Sequence, residues 1–94
     1  TVKIWDAESG EELRTLSGHS CVVSAVAVFA DGKRVVSGSY DNTVKIWDVE
    51  SGVELCTVEA EGVCAVAVFA DGKRIVSGNR EKITGGDVNI FKRD

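Results

Sequence analysis

The chain has 94 residues, 44% of them hydrophobic and none of them proline, a composition that supports one small packed domain and excludes a disordered linker. Eleven Lys and Arg stand against fifteen Asp and Glu for a net charge of −4, with the signs interspersed, which excludes a nucleic-acid footprint. No apolar run approaches the roughly 20 residues of a membrane helix, and the N-terminus lacks the basic-then-apolar pattern of a secretory signal.

In chain order, the strand signals begin with the short β-branched run at 2–6. Glu8-Ser9-Gly10 makes a turn, and 12–16 resumes an extended pattern that Gly18-His19 breaks. The stretch from Val22 to Phe29 is apolar everywhere except Ser24, which at so short a length predicts a strand buried on both faces. Asp31-Gly32 is expected to supply the positive φ angles of a two-residue hairpin turn, with 33–38 as the returning strand. Tyr40-Asp41-Asn42 turns again into 43–48. Four further strands follow at 54–58, 63–69, 73–78 and 87–92.

The strands are organised as a repeat. Residues 1–18 and 43–60 share twelve identities in eighteen positions, and residues 25–38 and 65–78 share thirteen in fourteen. A period near 40 residues marks stacked supersecondary units, none of which can bury its faces alone.

GH at Gly18-His19, DG at Asp31-Gly32 and SGSYDNTVKIWD at Ser37–Asp48 together resemble the WD-repeat family of β-propellers, and the resemblance covers essentially the whole chain. It implies an all-β fold of four-stranded antiparallel blades packed radially around a channel. It also implies a buried polar tetrad at His19, Ser37, Asp41 and Trp47. The chemistry of such a tetrad is plain: a buried indole N–H needs an acceptor, a serine hydroxyl can accept and donate, and an imidazole can pass the chain on to a carboxylate. These residues are therefore expected to be structural. Ser37 lies in SGS, outside any nucleophile elbow, and there is no second histidine to serve as base or ligand.

Counted from the outer strand, 12–48 is expected to form one complete blade and 54–92 a second, divergent one. Residues 1–6 are then an orphan strand of a preceding blade, and the chain reads as a fragment of a larger ring. Its start at Thr1 and its lack of methionine point the same way. A short chain that closes a ring from several copies is the other arrangement, since exposed blade faces invite self-association.

The second repeat departs from the first. The GH dipeptide is missing, Phe91 stands where the tryptophan should be, and Asn79–Asp87 carries about four extra residues by comparison with the first repeat. That insertion reads either as a partner-specific contact or as drift in a divergent blade. Ser77 remains and must find another partner or water. Three cysteines, Cys21, Cys56 and Cys64, contain no CxxC pair, so neither a disulfide framework nor a metal site is expected, and no cofactor is implied. They read as small thiols filling strand positions in an intracellular, cytoplasmic protein.

Function should lie in what the repeats do not share. Tyr40 precedes the turn aspartate at the blade rim, its counterpart is Arg80, and Ser20 follows GH; these are the candidate partner-binding residues, Tyr and Arg being enriched in binding hot spots. Tyr40 reads equally as a solvated loop residue. The resemblance implies a non-enzymatic platform that binds other proteins or peptides through the blade tops, without nucleic acid or membrane. The alternative is an accessory region of a larger enzyme or signalling protein.

Overall fold

The computed structural model describes residues 1–78 and the backbone of 79 and 88–92. Within them the chain forms nine strands and no helix: β1 (Val2–Trp5), β2 (Glu12–Leu16), β3 (Val23–Val28), β4 (Arg34–Ser39), β5 (Thr43–Asp48), β6 (Glu54–Glu59), β7 (Val63–Val68), β8 (Arg74–Asn79) and β9 (Val88–Lys92). Each lies within one residue of its expected bounds. The strands form antiparallel sheets in the orders β1-β2, β3-β4-β5-β6 and β7-β8-β9. The fold is thus all-β and built of propeller-type blades, of which only the middle one is complete among the described residues.

The sheets divide the chain differently from the expected blades. β2 does not join β3–β5, and residues 1–6 are not an orphan strand, because β1 pairs with β2. The complete blade instead runs from β3 to β6, one strand later than residues 12–48. The connections explain the shift. β1 and β2 are joined by a tight turn in which Gly10 has φ 75°, Asp6 Oδ1 accepts from Glu8 N, and Asp6 N donates to Glu11 O. β5 and β6 are joined by the same device, with Gly52 at φ 76° and Asp48 N bonded to Val53 O. The β2–β3 connection carries no such turn and crosses from one sheet to the next. Each sequence repeat therefore contributes its first strand to one sheet and its other three to the following sheet.

Two further expectations change. β3 is not buried on both faces: it is an edge strand, and Val26 and Val28 on it are 56% and 64% exposed, lining an open groove with Val2 and Ile4 of β1. The strands buried on both faces are β4 and β5. The DG turn is also not a two-residue hairpin with two positive φ angles. Only Gly32 is left-handed, at φ 68°, while Gly32 N bonds Phe29 O and Phe29 N bonds Arg34 O, closing a longer loop. Asp31 stays in an ordinary conformation because its carboxylate accepts from Lys33 N at 2.8 Å and Arg34 Nη2 at 3.1 Å. The Asp71-Gly72 turn repeats this arrangement. Of the cysteines, only Cys56 is half-buried; Cys21 and Cys64 are exposed.

Alternation along β4 and β5 sends side chains to two cores. Val35 and Trp47 pack with Val2 and Leu16 of the first sheet. Val36, Val44 and Ile46 pack with Phe29, Ala60, Val63 and Ile75 towards the third. The second contact is close enough that a β-carbon on Gly38 would overlap Cγ1 of Val63. Gly38→Ala should therefore destabilise the fold by about 1–3 kcal/mol in denaturant unfolding through overpacking between two sheets. An unchanged midpoint would mean that the sheets are not in contact there.

Candidate functional site

The site is built where the β2–β3 connection meets the β4–β5 turn. In that turn Asn42 takes φ 70°, which asparagine tolerates, and Asn42 N bonds Ser39 O at 3.3 Å. Asp41 Oδ1 then accepts from Thr43 N at 2.9 Å and from the Thr43 hydroxyl, which turns its other oxygen towards the β2–β3 connection. There Oδ2 accepts from His19 Nδ1 at 2.9 Å and from Ser20 N at 3.0 Å.

On its far side the imidazole meets β4, with His19 Nε2 lying 2.6 Å from Ser37 Oγ. From β5, Trp47 Nε1 donates to the same oxygen at 2.8 Å. The direction of the chain follows from the chemistry. An indole N–H can only donate, so Ser37 Oγ accepts from it and turns its own proton to His19 Nε2. His19 must then carry its proton on Nδ1, where Asp41 accepts it. The structure thus brings His19, Ser37, Asp41 and Trp47 together in one hydrogen-bonded line, with Ser37 fully buried and Trp47 2% exposed.

Burial of Asp41 pushes its carboxyl upward, but the bonds from Thr43, His19 and Ser20 outweigh that and hold it well below the ordinary carboxylate range. Gly18 is explained by the same packing: a β-carbon there would come within 2.8 Å of the Trp47 ring. Only glycine lets the connection lie against the indole while the next residue, His19, enters the line.

Ser37, His19 and Asp41 stand in the order of a Ser-His-Asp catalytic triad, at hydrogen-bond distances. What separates the arrangement from a nucleophilic centre is access and occupancy. Ser37 is closed off from solvent and its oxygen already holds the Trp47 proton, so a substrate carbonyl has no approach to it.

Several participants escaped the sequence reading. Thr43 supplies two of the Asp41 bonds, signalled only by its position two residues after an aspartate. Ser39 is fully buried; its hydroxyl accepts from Asp41 N at 3.1 Å and donates to Val22 O at 2.9 Å. Lys45, 8% exposed, reaches the Glu54 carboxylate and lies 3.2 Å from Thr57 Oγ1 across the β5–β6 pair. The bond from Lys45, then that from Thr57, lowers the Glu54 carboxyl.

Ser20 and Tyr40 lie beside the Asp41 turn, at the exposed rim, with Tyr40 55% exposed. Next to them a groove of about 460 Å³ is lined by Asp41, Asn42, Thr43, Glu59, Ala60 and Glu61, so its charged groups are all acidic. Arg80 and, apart from the backbone of Asn79, the Asn79–Asp87 insertion lie outside the described residues, as does the side chain of Phe91.

In the second repeat Ser77 occupies the place of Ser37 on β8, paired with Val66 as Ser37 is with Val26. It is 1% exposed, and its hydroxyl has no hydrogen-bond partner among the described residues. The same substitution should therefore act oppositely in the two repeats. Ser37→Ala strands the Trp47 and His19 groups and should cost about 1–3 kcal/mol, whereas Ser77→Ala should be neutral or stabilising by about 1 kcal/mol, both read from denaturant midpoints. Equal losses would show that Ser77 is paired after all.

Acid should act through Asp41. Its folded-state pKa is depressed, so its stabilisation is present above the unfolded value near 4 and is lost as the pH falls from there towards the folded value. The stability gap between the parent chain and Asp41→Asn should be widest above about pH 4 and narrow below it. A gap that stays constant down to the lowest accessible pH would contradict the assignment.

Comparison with known proteins places this geometry. The family described as "WD domain, G-beta repeat" matches residues 10–48, the stretch that holds β2 to β5 and all four residues of the hydrogen-bonded line. The nuclear distribution protein PAC1-2 of Postia placenta (strain ATCC 44394 / Madison 698-R) is 52% identical over 33 residues, which is 35% of this chain and 8% of that protein. The chain thus covers a small part of the length of the relative it resembles. Residues 10–48 thus match one WD repeat, and with a second copy of its strands and a four-stranded antiparallel blade the chain is similar to the WD-repeat family.

Proposed function

We propose that the chain is a non-enzymatic protein-interaction platform that binds proteins or peptides through the loops at the Asp41 rim, in an intracellular and cytoplasmic setting. WD repeats generally mediate contacts between proteins, and the family is generally non-catalytic. One observation carries the reading for this chain. The only histidine is spent inside the blade, in a line whose serine no substrate can reach, while the rim above it presents an exposed tyrosine beside an acidic groove.

Tyr40 is suited to recognition because its ring is held on a turn fixed from both sides, by Ser39 and by Asp41, so that little freedom is lost when it is covered. Ser20 adjoins it with its backbone N–H already bonded to Asp41, and its hydroxyl lies at the exposed surface. Glu59 and Glu61 favour basic residues in the partner, and a net charge of −4 disfavours nucleic acid and anionic membrane. The cytoplasmic setting is supported by three free cysteines and by the similarity to a nuclear distribution protein.

Peptides selected from a random library on the folded chain test the reading. Tyr40→Ala should weaken their binding by at least about tenfold while leaving Tm unchanged. Binding that is indifferent to Tyr40, or a large fall in Tm, would remove this rim as the contact surface. A fluorophosphonate probe should leave Ser37 unlabelled in the folded chain; labelling would restore the triad as a catalytic centre.

A further inference from the structure

The outer strands β2 and β6 are copies of one another, and the residues in which they differ change the strand in one direction. Residues 43–60 depart from 1–18 at six positions, and five of these, Val53, Cys56, Val58, Glu59 and Ala60, lie on or beside β6. Glu11 and Arg14 give way to Val53 and Cys56, while Ser17 gives way to Glu59. Charge has left the body of the strand and moved to its end. Between Glu54 and Glu59 the strand reads Leu-Cys-Thr-Val, with neither a charge nor a proline to blunt it as an edge.

That edge is open. β6 pairs with β5 on one side only, so one alternate set of its backbone N–H and C=O groups bonds β5 and the other set points out of the sheet. A bulge opposite Trp47 bends the start of the strand and leaves Cys56–Glu59 as a regular ladder, its outer side uncovered by any strand among the described residues. Leu55, at the bulge, is 44% exposed and offers an apolar contact at that end. At the other end Glu59 lines the rim groove with Glu61. Neither carboxylate has an ion-pair partner among the described residues, whereas Glu54 is tied to Lys45.

We propose that β6 accepts, as an added strand, an extended segment of a partner protein that places uncharged β-forming residues beside Cys56–Val58 and a lysine or arginine beside Glu59. The proposal rests on the reading of the Asp41 rim as a protein-binding surface, and it gives the bound segment a conformation and a chemistry. Main-chain hydrogen bonds to the free edge supply affinity that is independent of the partner's side chains. Glu59 and Glu61 set the register, because one placement of the segment brings its cation to them while its uncharged run stays beside Cys56–Val58. β2 offers no such site: Arg14 stands in the middle of it, Glu12 is engaged by Lys3, and Ser17 takes the place of the acidic end.

Peptides selected from a random library on the folded chain are the probe, each remade with a single N-methyl group at successive backbone positions. A strand bonded along one edge uses every second N–H, so N-methylation should raise Kd about tenfold at alternate positions and little at those between. In the same complex, hydrogen exchange should slow at alternate amides of β6. Glu59→Lys combined with Glu61→Lys, both at exposed positions, should weaken a lysine-bearing peptide by at least about tenfold and leave Tm unchanged. The N-methyl scan leaves the protein unaltered, so a folding defect in the double variant would not obscure the result. Binding that is lost with Tyr40→Ala yet indifferent to N-methylation, or equally harmed at every position, would overturn the added strand while leaving the rim as a contact surface. Selected peptides free of lysine and arginine would overturn the proposal as well.

Discussion

The structure depends on one buried indole N–H. Trp47 packs against Leu16, Val2 and Val35 between two sheets, where its ring contributes a large apolar area but its N–H has no water to bond. Leaving such a donor unpaired costs about 1–3 kcal/mol, a large part of what a domain of this size has to spare. Ser37 takes the proton, and because a hydroxyl that accepts must also donate, the requirement passes to His19 and then to Asp41. The line ends only at a carboxylate that four donors satisfy. One tryptophan thereby ties β5 to β4, to the turn between them and to the connection that arrives from the preceding sheet.

That last tie matters because of how repeats and sheets are offset. The sequence repeat begins at β2, but the sheet begins at β3, so the connection holding Gly18 and His19 is the covalent bridge between two sheets. Gly18 lies against the Trp47 ring and His19 is bonded at both nitrogens, so the bridge is held in place by the core of the blade it enters. The next bridge, from β6 to β7, is three residues long and lacks the dipeptide; there Ala60 is buried in the core and Ala60 N bonds Asn42 O. Two neighbouring connections thus use different means, a line of side-chain hydrogen bonds in one case and a buried alanine with a backbone hydrogen bond in the other, and the loss of a tryptophan donor in the second repeat accompanies the loss of its histidine.

The strands were legible because turns and β-branched runs are local signals: all nine lie within one residue of where alternation and glycine positions put them. The four residues of the line were legible because their types and spacing are distinctive. How strands group into sheets was not, since the same two repeats read equally well with the sheet starting at β2 or β3, and only the tight turns at Gly10 and Gly52 decide it. The burial of β3 was misjudged for a related reason. Its apolar pattern reports a strand meant to be covered on both faces, and coverage depends on neighbours that lie outside the strand. Thr43, Ser39 and Lys45 were missed because hydroxyls beside an aspartate, and a lysine in an exposed-looking alternation, carry no signal of burial until the sheets are stacked.

The likeness to a serine hydrolase triad makes the direction of the hydrogen bonds the point on which the structural reading of the site rests. A line that starts at the indole requires His19 to hold its proton on Nδ1 and to accept on Nε2. Nitrogen-15 NMR of the His19 imidazole in the folded chain reads this directly. The Nδ1–H tautomer, in slow exchange with solvent, is the expected result. An Nε2–H tautomer, or a ring exchanging freely between the two, would contradict it, because Ser37 could not then accept from Trp47 and donate to His19 at once.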